Sequence, residues 1–427
     1  MARKVFISFL GTGRYKPCVY KSHDGEKSRV VEYVQEAILD LYCREYGEGD
    51  KAFFFLTQQA EKQHWDKLEG VLGEREFQIV PVKNLPDGHT EKEIWDIFEL
   101  VYSHLEEEDR VILDVTHGFR SLPMLQIVLL NYARSLKNIT VEHILYGAFE
   151  SLGIPLFKID EEIPDPADRE VPILNLTSFS AIQSWAFGAE SFVQTGSTET
   201  ITQLSYDNIN PILRESRGSD QTASNLRDLM KSLEQIEISI KTNRGYEIIE
   251  GSWLRKIQNA LGFLLEENQQ VFTPLQPILR KIGDKFSNFN SMSHWEASVQ
   301  WCIDHGLVQQ GITQLQEGII SYIIMQSGLD MRDLEHREIV SQSMNIIARK
   351  LPESKWYPLA SDNKDLVRRI MKGDFVIQFG GSYQSLSHLR NDINHGGFRQ
   401  DALTDGNVFI QRLSKIFEEF KSTRKTS

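Results

Sequence analysis

Cysteine is scarce in this chain, with three in 427 residues. Cys18, Cys43 and Cys302 have no paired spacing, which excludes a disulfide framework. Cys302 and His305 stand three apart, but one such pair without a second is not a zinc site. Long apolar runs are also missing: nothing approaches the roughly 20 residues of a membrane-spanning helix. The start, Met1-Ala2-Arg3-Lys4 followed by Val5 to Leu10, is signal-like only briefly, because Gly11-Thr12-Gly13-Arg14 interrupts it. A first β-strand accounts for it, and the expected location is a reducing cytoplasm with no membrane. Positive charge is in deficit, 47 Lys and Arg against 60 Asp and Glu, a net charge of −13. That excludes a protein that coats nucleic acid non-specifically, though not an enzyme that grips a few nucleotides in a local groove. The basic stretch Arg412, Lys415, Lys421, Arg424 and Lys425 reads as a solvated helix end favourable to the helix dipole. Internal repeats and low-complexity tracts are absent as well.

What is present is organised in two parts. To about residue 160, short apolar runs alternate with helical periodicity. Strands are expected at Lys4–Leu10, Lys51–Thr57, Phe77–Val82, Arg110–Val115 and Val141–Ala148, with a possible edge strand at Pro155–Ile159. Helices are expected over Ser28–Tyr46, Glu91–Leu105 and Leu122–Leu136. This alternation predicts a parallel sheet with helices on both faces, an α/β Rossmann-like domain over residues 1–160. The acidic, proline-bearing stretch Asp160–Asp168 reads as a linker, and Glu106–Asp109 as a solvated acidic turn. Residues 161–427 read as an all-α region.

Open α/β sheets bind ligands at the carboxyl ends of their strands. Gly11-Thr12-Gly13 follows the first strand and allows close backbone approach to a phosphate. It is not a dinucleotide fingerprint, since Lys16 stands where the third glycine belongs, and this disfavours an NAD-dependent oxidoreductase. Asp114-Val115-Thr116-His117-Gly118-Phe119-Arg120-Ser121 follows the fourth strand and precedes a helix, whose N-terminus favours an anion. From the residues alone, ligand contact by Thr116 and Ser121 and simple turn and cap roles for Asp114, Thr116 and Ser121 weigh evenly.

Asp114-x-Thr116-His117-Gly118 resembles the D-x-T-H-G motif of a CRISPR-associated family named after it, and Lys4–Gly13 resembles that family's first strand and loop. The resemblance implies a CARF domain, a dimerising Rossmann-like sensor of cyclic oligoadenylate. It implies that Gly11, Thr12, Gly13, Asp114, Thr116, His117 and Gly118 line the ligand pocket. It also gives weight to Arg390-Asn391-Asp392-Ile393-Asn394-His395, whose R-x-x-x-x-H spacing resembles the HEPN ribonuclease motif. By itself that spacing is common, and a surface arginine near a helix-ending histidine would explain it.

The resemblance implies Arg390, Asn391 and His395 as catalytic residues of a metal-independent endoribonuclease without cofactor. RNA's own 2′-hydroxyl attacks the phosphate and leaves a 2′,3′-cyclic phosphate. As an imidazole, His395 can move protons; Arg390 can stabilise charge on the phosphorane. At about 100° per residue, five steps put the two side chains on different helix faces. Either the helix ends near His395, as Gly396-Gly397 suggests, or two subunits build the site. The expected partners are single-stranded RNA, a cyclic oligoadenylate activator (cyclic tetra-adenylate foremost) and a second copy of the chain. The alternative is a ligand-sensing regulator that binds a partner without cutting. Glu317 can orient site groups but reads better as a solvated helix carboxylate; His294 and His388 read as packing or capping residues.

Overall fold

The computed structural model describes residues 2–117, 122–266, 275–286, 289 and 292–426. It divides into two compact units, Met1–Gln183 and Ser184–Ser427. The first unit is built on one eight-stranded sheet: β1 Lys4–Phe9, β2 Cys18–Lys21, β3 Lys27–Val31, β4 Lys51–Phe55, β5 Gln78–Val82, β6 Arg110–Asp114, β7 Thr140–Gly147 and β8 Glu170–Asn175. The order is β3-β2-β8-β7-β6-β1-β4-β5, with β7 to β5 running parallel and antiparallel pairs at β7/β8 and β2/β3.

The apolar runs of the central strands feed two cores, because successive side chains point to opposite faces. Phe6, Ala52, Phe54 and Ile112 enter one core, covered by α1 Val34–Tyr42 and α2 Asp66–Leu72. Val5, Ile7, Phe53, Phe55, Val111 and Leu113 enter the other, covered by α3 Glu91–Ser103 and α4 Leu122–Lys137. Burial on both faces is why these strands read as continuous apolar runs.

The edge differs from the sequence reading. The expected helix over Ser28–Tyr46 is β3 first and α1 after it, since Asp24-Gly25 turns the chain back on β2, with Gly25 at φ +88°. Pro155–Ile159 is no strand; Ile159–Glu162 forms one helical turn. The last strand, β8, comes beyond the acidic stretch, so the first unit runs past residue 160 to Gln183. That stretch is no free linker. Arg169, 2% exposed, donates to the carbonyls of Ile163, Pro164 and Pro17 and to Asp160, and so pins it to the sheet edge. Asp109, expected in a solvated turn, is fully buried and accepts from the Arg3 guanidinium and the Glu106 amide.

α5 Thr177–Thr195 carries the chain into the second unit. There follow α6 Glu199–Glu215, α7 Gln221–Lys241, α8 Gly245–Glu250, α9 Ser252–Leu264, α10 Leu275–Lys285, α11 His294–Asp304, α12 Val308–Gln326, α13 Leu334–Arg349, α14 Lys364–Met371, α15 Asp374–Asn394 and α16 Asn407–Thr426. α15 buries Phe375, Phe379, Tyr383, Leu386 and Leu389, a stripe at helical spacing, against Ile319, Ile323, Met344, Phe417 and Phe420 of its neighbours. α12 lies close to α11 because Gly318 has no side chain: a Cβ there would stand 2.1 Å from the Trp295 ring. The described residues hold no helix long and apolar enough to cross a membrane.

Candidate functional site

In the first unit the strand order reverses between β1 and β6, and an open sheet leaves a crevice at that point, beyond the strand ends. The loops after β1 and β6 are therefore neighbours. Ser8 and Asp114 pair across the two strands, and the buried Ser8 hydroxyl donates to Asp114 Oδ2 at 2.7 Å. Asp114 Oδ1 accepts the Thr116 amide at 2.9 Å, which bends the chain into its turn. Full burial pushes the Asp114 carboxyl above its ordinary range, against the pull of His117 and these hydrogen bonds. The Thr116 hydroxyl accepts the Gly147 amide at 2.9 Å, so the loops after β6 and β7 are tied as well. Gly147 is needed there, since a Cβ would stand 2.6 Å from Val34 and 3.1 Å from Tyr20.

His117 packs edge-on against Tyr15, ring centroids 4.7 Å apart, and Tyr15 also meets Tyr33 and His64. Burial holds the His117 imidazole below its usual value, so it is neutral near pH 7, and its buried Nε2 finds no partner among the described residues. The Gly11 amide donates to the Tyr15 hydroxyl at 3.0 Å, and a Cβ on Gly11 would press the His117 ring at 3.2 Å. Thr116, His117, Tyr15, Tyr146 and Gly147, with Arg14, Lys16, Glu32 and Glu150, line a cleft of about 120 Å³. Such a cleft offers backbone groups, hydroxyls, a neutral imidazole and aromatic faces.

The expected residues are brought together in part. Gly11, Asp114, Thr116 and His117 converge, but of these only Thr116 and His117 line the cleft; Gly11 lies against the His117 ring and Asp114 is fully buried. Thr12 and Gly13 are exposed and do not line the cleft. Gly118 and Ser121 lie outside the described residues. Tyr15, Tyr146 and Gly147 were not singled out from the sequence. Tyr15, four residues past Gly11, carried a signal only in its spacing; Gly147 carried one as a glycine ending a buried strand.

In the second unit, Arg390 Nη1 donates to Gln316 Oε1 at 3.2 Å and reaches Glu317 Oε1 at 3.4 Å. Glu317 Oε2 is gripped by Arg337 at 2.7 Å, and Gln316 is held in turn by Tyr383 and Ser387. Glu317 is thus bound by two guanidinium groups rather than simply solvated. Arg390 and Glu317 form part of the wall of a cavity of about 500 Å³. His395 is elsewhere. It is the exposed residue just after the last turn of α15, where Gly396 (φ +62°) and Gly397 (φ +74°) turn the chain away. The Gly397 amide returns to the Asp392 carbonyl at 3.2 Å, closing the helix end. Asn391 is exposed, and neither it nor His395 lines the Arg390 cavity. Asp392 is buried and accepts the Leu403 amide at 2.8 Å. His388 is exposed, whereas His294 Nδ1 donates to the Ile249 carbonyl at 3.1 Å. Among the described residues no three His, Cys, Asp or Glu are grouped to hold a metal ion.

Residues 5–150 match the family model described as CRISPR system endoribonuclease Csx1, CARF domain. A CRISPR-associated protein of Methanocaldococcus jannaschii is 25% identical over 256 residues, 47% of this chain and 38% of the relative, so the match spans under half of that protein's length. Csm6 of Enterococcus italicus, solved bound to cyclic hexa-2′-fluoro-hexa-dAMP, superposes at 12% identity with a TM-score of 0.46, covering 99% of this chain and 93% of that one. The matched CARF segment contains β1, β6 and both loops of the cleft. Residues 5–150 are thus similar to a Csx1-type CARF domain, and they lie in a Rossmann-like unit that a largely helical unit follows.

Proposed function

We propose that this protein is a HEPN-type endoribonuclease of type III CRISPR defence, a cytoplasmic homodimer switched on by cyclic oligoadenylate, cyclic tetra-adenylate foremost. The cleft at the β1/β6 crevice is the sensing site, and ligand there shifts a two-state arrangement of the helical units. Two copies of equivalent loops suit a cyclic, symmetric ligand.

The observation that carries the reading is the end of α15. His395 stands exposed where the helix stops, while Arg390 on the same helix is held by Gln316 and Glu317. The RNA 2′-oxygen attacks the adjacent phosphorus, its proton passing to a base, and the 5′-oxygen leaves with a proton from an acid. His395 serves in these transfers, and Arg390 stabilises the charge that builds on the phosphoryl oxygens. Asn391 assists from the exposed face. The two side chains point apart within one chain, so the composite site takes residues from both subunits. This chemistry uses no metal.

The test is pure protein with radiolabelled single-stranded RNA, EDTA, and cyclic tetra- or hexa-adenylate. Cleavage by the parent and none by His395→Ala is the expected result. Intact RNA with both activators sinks the proposal. The divergence of Arg390 and His395 within one chain also favours a second reading, a sensor that binds a partner without cutting. Unchanged behaviour of His395→Ala would select it.

A further inference from the structure

Apart from Arg390, the lining of the cavity beside it takes no part in the reaction described above. It lies between α8, α11 and α12 and the turn before α13, and Arg332, Arg337 and Arg390 face it against the single carboxylate Glu317. Glu317 is already shared between Arg337 and Arg390. Arg332 makes no ion pair among the described residues; it lies over the Tyr246 ring, 4.7 Å from its centre, and Tyr246 is 45% exposed. In a chain of net charge −13, two uncompensated guanidinium charges at one cavity are a local reversal of sign.

We propose that this cavity takes one unpaired nucleotide of the RNA, its base against the Arg332–Tyr246 pair and its phosphate toward Arg390 and Arg337. A volume of about 500 Å³ holds a single nucleotide and excludes a duplex. Aromatic rings and guanidinium planes are the surfaces on which splayed-out bases stack, with every base offering a π-face. A fork of N–H donors matches phosphate oxygens. The wall also holds an acceptor awaiting a donor: Asn243 Oδ1 is buried without a partner among the described residues, on a residue at φ +55°. A base amino group supplies that donor. Because Arg390 belongs both to this wall and to the proposed cleavage site, a nucleotide seated here fixes the register of the strand beside the scissile phosphate. The inference rests on the reading that RNA is the substrate.

The test is binding by the full chain, with cyclic tetra-adenylate present, of a fluorescein-labelled 2′-O-methyl oligonucleotide, which lacks the attacking hydroxyl. Tyr246→Ala is expected to raise Kd about tenfold, the scale of one lost base stack, with Tyr246→Phe restoring it. Arg332→Ala is expected to lower the slope of log affinity against log salt by roughly 0.7. Both residues are exposed, so neither change threatens the fold. If the parent cuts RNA yet both alanine variants bind like the parent, the inference is overturned and the ribonuclease reading stands. Should the parent fail to cut while binding stays dependent on Tyr246, the ribonuclease reading fails and the nucleotide site survives. Absence of oligonucleotide binding by the parent overturns the inference outright.

Discussion

The two candidate sites are built by opposite means. In the first unit, Asp114, Thr116 and His117 come from one strand end, Gly11 from the neighbouring strand, and Gly147 from the next. Parallel strands deliver their loops to one rim, so residues far apart in sequence meet within a single chain. In the second unit, Arg390 and His395 are close in sequence, yet the helix sends them apart. A sheet edge gathers; a helix distributes. A cleft made the first way assembles its lining within one chain, while on the proposed ribonuclease reading a pair made the second way waits for another surface.

The sharpest way to break this comparison is His395→Ala. The side chain is exposed, so stability and activator binding should hold while RNA cleavage falls about 10²–10⁴-fold. A loss below tenfold, read by single-turnover cleavage, would remove His395 from the chemistry. Next is Thr116→Val, which leaves the Gly147 amide without its acceptor. Denaturant unfolding should show a loss of about 1–3 kcal/mol, with weaker activator binding and recovery in Thr116→Ser. An unperturbed Thr116→Val protein would mean that the loops are not tied as drawn.

His117 gives a pH test. Its folded value lies below the usual value of about 6.5, so below that pH the unfolded chain takes up a proton that the folded one refuses. Stability should therefore fall as pH drops through this window, by at most about 1.4 kcal/mol per pH unit. Asp114, held high by burial, acts with the opposite sign: its contribution is present at low pH and is lost as pH rises through its folded value. His117→Gln should flatten the His117 part of the curve, measured as the parent-minus-variant difference in unfolding free energy between pH 5 and 7. Equal curves would place His117 in water. The smallest effect is expected for Gly396→Ala, which forces a side chain at φ +62° and should cost about 1 kcal/mol, a shift of a few degrees in Tm. No shift would mean the end of α15 is not held as described.

Much of the fold was legible because periodicity reports burial. Val5, Ile7, Phe53, Phe55 and Leu113 read as strand residues since both sheet faces are covered. The β2–β3 hairpin was hidden by Val30, Val31 and Val34, whose spacing also fits a helix; only Asp24-Gly25 marked the turn. The linker at Asp160–Asp168 was misread because its composition is that of a loop, and nothing local shows that Arg169 would be buried beneath it. Glu317 looked like any helix carboxylate, because the arginines that hold it come from residues 337 and 390.

Local order, then, determined the five parallel strands β1, β4, β5, β6 and β7, the longer helices, the Asp114–His117 turn and the stop after His395, since these depend on side-chain alternation, on a carboxylate reaching its own backbone and on glycines that tolerate positive φ. Tertiary structure alone decided that Ser8 would meet Asp114, that Thr116 would hold Gly147, and that Arg390 would turn from His395 toward Gln316 and Glu317. Those pairings span 31 to 106 residues. At such separations no local preference acts, and the partner is set by the strand order and helix packing that bury the core.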